Sequence, residues 1–174
     1  NPDKEAKTFQ GNVALMTYGD DNAMGVSIRA PWFNHTAIQK ILEKIGVVYT
    51  MPDKETESVP YSHISEVSFL KRSFVFDETL GHVVCPIEHA SIEKMLTKCV
   101  HKKDHNPEKH MLEVICCALN EYFWYGKEIF EERREAYRKI LVDNDMLKYA
   151  VHINPLPSYE SLRSRYVEAS KFFE

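Results

Sequence analysis

Two carboxylates stand side by side at Asp20 and Asp21, between the apolar runs Val13-Ala14-Leu15-Met16 and Ala23-Met24-Gly25-Val26. Adjacent acids repel, and the pair is comfortable only when solvated or when a cation sits between them. A divalent cation held there suits phosphate chemistry. A plain solvated turn is the other reading, because Asp and Asn are ordinary turn residues. A second charged pair, Lys71-Arg72, has Phe69 and Phe74 on its two sides, so two cations would project from an aromatic base. Lys54 lies in the polar stretch Pro52-Asp53-Lys54-Glu55 and, taken by itself, is a solvated loop lysine. The groups His82-x-x-Cys85-x-x-x-His89 and His101-x-x-x-His105-x-x-x-x-His110 match no zinc spacing, so they are not read as a metal centre.

The elements that must position these groups follow from the hydropathy pattern. Gly19-Asp20-Asp21-Asn22 reads as a four-residue break at a hairpin tip, since Gly, Asp and Asn tolerate the positive φ of a tight reversal. The first apolar run is consecutive rather than alternating, which predicts a strand covered on both faces. Asn34 is the expected N-cap of a helix with Ile38, Ile41, Leu42 and Ile45 on one face, and Gly46 is its stop. Val47 to Met51 reads as a short strand leading to the Lys54 loop. Val67 to Phe76 predicts a second hairpin with Lys71-Arg72 at its turn, followed by a turn from Asp77 to Gly81 and a strand from His82 to Cys85.

Beyond Pro86 the pattern becomes helical. Ile92, Met95, Leu96, Cys99 and Val100 mark one amphipathic face. Asn106-Pro107-Glu108 combines an N-cap, a proline at N1 and an acid in the first turn, which starts a helix carrying Met111, Leu112, Ile115, Ala118, Leu119, Tyr122 and Phe123 on one side. Gly126 interrupts, and the next helix presents Ile129, Phe130, Arg133, Ala136, Tyr137, Ile140 and Leu141. After the linker Asn154 to Pro157, Ser158 caps a last helix with Leu162, Tyr166, Ala169 and Phe173 inward. The aromatic run Tyr122 to Tyr125 reads as core rather than a platform for bases. A strand-rich part to about residue 85 and a helical part after it make the fold class α+β.

Composition sets further bounds. The 174 residues suffice for one domain or for two small lobes. No apolar run approaches the ~20 residues of a membrane helix, so no transmembrane segment is expected. From the polar start Asn1-Pro2-Asp3-Lys4-Glu5 no signal peptide is expected, and the missing initiator Met fits a cleaved polyprotein product or a partial sequence. A net charge of −4 argues against nucleic-acid binding by the whole surface and is compatible with a local basic track such as His101-Lys102-Lys103. Cys85, Cys99, Cys116 and Cys117 form no C-x-x-C, so free thiols in a reducing compartment are expected.

Three signals in order give the chain a family resemblance. Tyr18-Gly19-Asp20-Asp21 resembles motif C of the palm of viral RNA-dependent RNA polymerases. Tyr49-Thr50-Met51-Pro52-Asp53-Lys54, after the helix ending at Gly46, resembles motif D, and Phe69-Leu70-Lys71-Arg72-Ser73-Phe74 resembles motif E at the palm–thumb junction. The polymerases of picorna-like viruses, in the dicistrovirus or marine picorna-like branches, match best. The resemblance is specific from residue 12 to about 90 and looser over the helical remainder.

It implies a partial palm of antiparallel hairpins plus a helix in residues 1–85, then an all-helical thumb in residues 86–174. It implies RNA-templated RNA synthesis, with Mg²⁺ (or Mn²⁺) as the cofactor in the two-metal chemistry of such transfers. Asp20 would be the better direct metal ligand with Asp21 beside it, Lys54 the general acid, and Lys71 and Arg72 the holders of phosphates, with Tyr18 and Gly19 also against RNA. Partners would be the RNA template and product strand, NTPs, and the rest of the polymerase, meaning its fingers and palm motifs A and B. The expected location is the host cytoplasm, in viral replication complexes. Two other readings are a non-catalytic RNA-binding or scaffold module and a reverse transcriptase palm. The Phe69-Leu70-Lys71-Arg72 segment and the Gly between Tyr18 and Asp20 argue against the latter.

Overall fold

Strand β1 (Val13–Tyr18) pairs antiparallel with β2 (Asp21–Val26), from Val13↔Val26 to Tyr18↔Asp21, in a computed structural model that describes residues 8–98 and 106–170. Only Gly19 and Asp20 lie between the strands. Gly19 has φ +62° and Asp20 is not in the left-handed region, the signs of a type II′ turn with Gly at its first central position. The break is tighter than the four residues expected, because Asp21 and Asn22 extend the ladder opposite Tyr18 and Thr17. The expected covering of both faces of β1 is not found. Leu15 is 45% and Met16 44% exposed, since the sheet has two strands and no third joins it among the described residues.

The described residues form two compact units, Asn1–Leu70 and Lys71–Glu174. In the first, helix α1 (His35–Glu43) starts where expected: Asn34 Oδ1 accepts from the Ala37 amide at 3.0 Å. It ends before Gly46, at φ +78°, with the Val47 amide turned back to Leu42 O at 3.0 Å. Val47 to Met51 is not a strand. That segment has no ladder partner, and side chains of α1 hold its carbonyls instead: Gln39 Nε2 donates to Tyr49 O at 2.8 Å and His35 Nε2 to Thr50 O at 3.2 Å. Strand β3 (Ser68–Phe69) closes the unit.

The second unit opens with β4 (Arg72–Ser73), which bridges to Ile87 through Arg72. Strands β5 (Val75–Asp77) and β6 (His82–Val84) form an antiparallel hairpin. Its turn is held by Asp77 Oδ1, which accepts from the Thr79 and Leu80 amides at 2.8 and 2.9 Å. The hairpin expected from Val67 to Phe76 is found in shortened form, with β3 and β4 on either side of a turn at Leu70-Lys71. Phe76 pairs with Val83, because the Asp77 turn brings β6 close in sequence as a ready partner.

Helices α2 (His89–Thr97), α3 (Pro107–Tyr122), α4 (Lys127–Asp143) and α5 (Tyr159–Ser170) follow. Asn106 Oδ1 caps α3 through the Lys109 amide at 2.8 Å, and Ser158 Oγ accepts from the Ser161 amide at 3.1 Å at the start of α5. The core gathers Ile92, Leu112, Ile115, Leu119, Phe130, Leu141 and Leu162, with Tyr122 and Phe123 buried among them as the aromatic run suggested. Met111, Ala136, Ile140 and Ala169 are exposed rather than inward. The buried stripe of α4 narrows to Phe130, Tyr137 and Leu141. Cys99, Val100, the His101-Lys102-Lys103 track and Phe173 lie outside the described residues. Among those described, the cysteines are free and no helix is long and apolar enough to cross a membrane.

Candidate active site

The tight turn of the first hairpin places its two acids at different structural positions. Asp20 occupies the loop itself and Asp21 begins β2, where its backbone pairs with Tyr18. Both are exposed, and among the described residues neither carboxylate has a hydrogen bond or an ion pair. Tyr18 is 69% exposed beside them. A Cβ at Gly19 would meet nothing within 4 Å, so glycine is required there by its left-handed φ and not by space.

Exposed carboxylates without protein partners are hard oxygen donors of the kind Mg²⁺ and Mn²⁺ take. Among the described residues no group of three or more His, Cys, Asp or Glu converges on one point. Asp20 and Asp21 therefore fit a divalent cation as part of a ligand set, not as the whole of it.

Lys54 sits in a loop held on both sides of it. Its own amide donates to Met51 O at 2.9 Å, and its φ is +64°, a left-handed conformation uncommon for a side chain other than Asn, Asp or Gly. Asp53 accepts from the Glu55 and Thr56 amides at 3.2 and 3.0 Å and from the Thr56 hydroxyl. The Thr56 bonds above all hold the Asp53 carboxyl below its ordinary pKa. One further bond joins this segment to the acidic hairpin: the Tyr49 hydroxyl donates to Asn22 Oδ1 at 2.7 Å. Sequence pattern points to neither partner: Asn22 reads as turn and Tyr49 as strand, and no periodicity signals a bond across 27 residues.

The basic pair belongs to the second unit, and its two members have different surroundings. Arg72 makes a two-pronged ion pair with Glu121 on α3, at 3.0 and 2.8 Å, and Nη1 also donates to Cys85 O at 2.9 Å. The Glu121 hydrogen bond raises the guanidinium pKa further. Lys71 has φ +64° and pairs with Glu88 at 2.6 Å, yet its side chain remains 64% exposed. The Lys71 ammonium holds the Glu88 carboxyl below its usual range. The acidic turn and Lys54 thus share the first unit, while Lys71 and Arg72 lie in the second.

Comparison with known proteins places these groups in context. The profile of the family described as viral RNA-dependent RNA polymerase matches residues 2–142. The replicase polyprotein of cricket paralysis virus is 33% identical over 129 residues, which cover 74% of this chain and 7% of that polyprotein. The RNA1 polyprotein of Satsuma dwarf virus is 33% identical over 162 residues, covering 91% of this chain and again 7% of the relative. Among solved structures, a sicinivirus 3Dpol RNA dependent RNA polymerase superposes with a TM-score of 0.65 at 19% identity, over 97% of this chain and 32% of that one. The chain therefore spans under a tenth of the polyproteins it resembles and about a third of the solved polymerase.

Proposed function

Because the chain belongs to the viral RNA-dependent RNA polymerase family, we propose that it supplies the C-terminal palm (residues 1–85) and the thumb (residues 86–174) of an enzyme that copies RNA from NTPs in the replication of a picorna-like virus. The observation that carries this reading is the joining of the acidic turn and the lysine loop within one unit, through the Tyr49–Asn22 hydrogen bond. Two separate surface loops would give no reason for such a tie.

The reaction is attack of an RNA 3′-hydroxyl on the α-phosphate of an NTP, with pyrophosphate leaving. Bound divalent metal, Mg²⁺ or Mn²⁺, neutralises charge on the attacking and leaving oxygens. Asp20 would hold it directly with Asp21 beside it, and the missing ligands would come from the rest of the polymerase. The Lys54 ammonium carries donor protons and would give one to the pyrophosphate oxygen as the P–O bond breaks. Lys71, exposed, would contact backbone phosphates of the product strand, which positions the duplex without reading its sequence. Arg72 supports it by fastening β4 to α3. Tyr18 and Gly19 would border the RNA end at the turn. The partners are then RNA template and product, NTPs, and the fingers and palm motifs A and B. The place of action is the replication complex in the host cytoplasm.

The test uses the complete polymerase that contains this segment, with Asp20→Asn. Nucleotide addition in Mg²⁺ should be lost while template–primer binding is retained. Extension at the wild-type rate would return the hairpin to a structural role in a non-catalytic RNA-binding module.

A further inference from the structure

The bond between the acidic hairpin and the lysine loop has a consequence for how the loop is placed. Asn22 pairs with Thr17 in the ladder and follows directly on Asp20-Asp21, so its amide moves with the acidic turn. Tyr49 is fixed from its other side. Its ring stacks on His35 with centroids 4.7 Å apart and 25° between planes, its carbonyl accepts from Gln39, and the next carbonyl accepts from His35. In the neutral ring His35 then accepts the Ser58 hydroxyl on Nδ1, at 2.7 Å, which ties the far end of the loop to the same helix. From Tyr49 to Lys54 the chain is held by the Met51–Lys54 turn and the Asp53–Thr56 bonds. The residue after the acids is thus tied through Tyr49 to the segment whose turn holds the Lys54 backbone. Among the described residues, the one hydrogen bond that crosses from this segment to the hairpin runs from the Tyr49 hydroxyl to the Asn22 amide oxygen.

We infer that Tyr49 and Asn22 are positioning residues, whose hydrogen bond sets the Lys54 ammonium at its working distance from the carboxylates of the acidic turn. The inference rests on the proposed roles of Asp20 and Lys54. General-acid help requires hydrogen-bond reach to the leaving oxygen, and a displacement of ~1 Å can cost ~10² in rate.

The experiment is single-nucleotide incorporation, followed on the millisecond scale, by the complete polymerase carrying Tyr49→Phe, Asn22→Ala, Lys54→Leu and the pair Tyr49→Phe/Lys54→Leu. Losing the bond should lower the maximal rate about tenfold while the apparent NTP affinity stays within about twofold. Tyr49→Phe and Asn22→Ala should behave alike, and Tyr49→Phe should add nothing in the Lys54→Leu background. A purely structural role would lower stability without that non-additivity. Wild-type rates for both Tyr49→Phe and Asn22→Ala, beside a slow Lys54→Leu, would overturn the inference and leave the lysine's role standing. An equal loss from Tyr49→Phe in both backgrounds would overturn it too. A Lys54→Leu enzyme as fast as wild type would remove the acid itself, and the positioning with it.

Discussion

In the second unit Ile92, Leu112, Leu119, Phe130 and Leu141 are completely buried, whereas in the first Ala30 is the one buried apolar side chain among the described residues. The helical unit is held together by apolar burial, worth ~1.5–3 kcal/mol for each such side chain. The hairpin unit is held by polar side chains of Asn34, His35, Gln39, Tyr49 and Tyr61 bonding to backbone or to each other. Hydrogen bonds of that kind net only ~0.5–1.5 kcal/mol apiece. Meanwhile β1 and α1 leave apolar surface open, with Ile41 60% exposed. The chemistry-bearing acids and Lys54 therefore sit on the unit that has polar geometry and little core of its own. Such a unit suits a place inside a larger fold, where neighbouring elements supply the burial.

The contrast can be broken most directly by separating the units. Residues 71–174 alone should melt cooperatively by circular dichroism, and residues 1–70 should not. A sharp transition in the smaller piece would show that polar ties suffice. Single truncations probe the same difference more gently. Leu119→Ala, at a fully buried core position, should lower the urea-derived stability of the second unit by ~2–5 kcal/mol. In the same chain Ile41→Ala, on exposed α1 surface, should change stability by no more than ~0.5 kcal/mol. A large loss there would mean that the α1 face is already covered in solution.

The basic pair sharpens the comparison at smaller amplitude. Arg72→Ala removes a two-pronged bond and leaves Glu121 part-buried without its partner, and should cost ~1–2 kcal/mol once partial exposure is allowed for. Lys71→Ala should leave stability within ~0.5 kcal/mol. In the complete polymerase it should reduce the salt slope of duplex binding by about one unit, uniformly across sequences. An unchanged slope would assign Lys71 to its Glu88 pair alone. The smallest effect is the pH response of the lysine loop. Asp53 titrates below its ordinary 3.8 in the folded chain, so its turn is fully supported above that pH and weakens as pH falls through the lower folded value. The Thr56 amide resonance should follow that transition with a midpoint under 3.8. A midpoint at or above it would show that the carboxylate does not hold the turn.

What the sequence alone determined was local. Asn34, Asn106 and Ser158 as caps, Gly46 and Gly126 as interruptions, the acidic turn at a hairpin tip and the Asp77 turn could all be read directly, because each is decided by a residue and neighbours three or four positions away. The order of the three motifs carries the family as well. Tertiary structure decided the rest. A consecutive apolar run is silent about whether another layer covers it, so the exposure of β1 could not be read from its pattern. Val47 to Met51 has strand-forming residues, but a strand exists only with a ladder partner, and helix side chains took its carbonyls instead. Arg72 looked like a free surface cation because its carboxylate lies 49 residues on, at Glu121. Likewise the partner of Tyr49 is 27 residues back, at Asn22. Local backbone preference is encoded in adjacent side chains. The pairing of distant polar groups depends on which surfaces burial and register bring together, and that is settled only when the chain has folded.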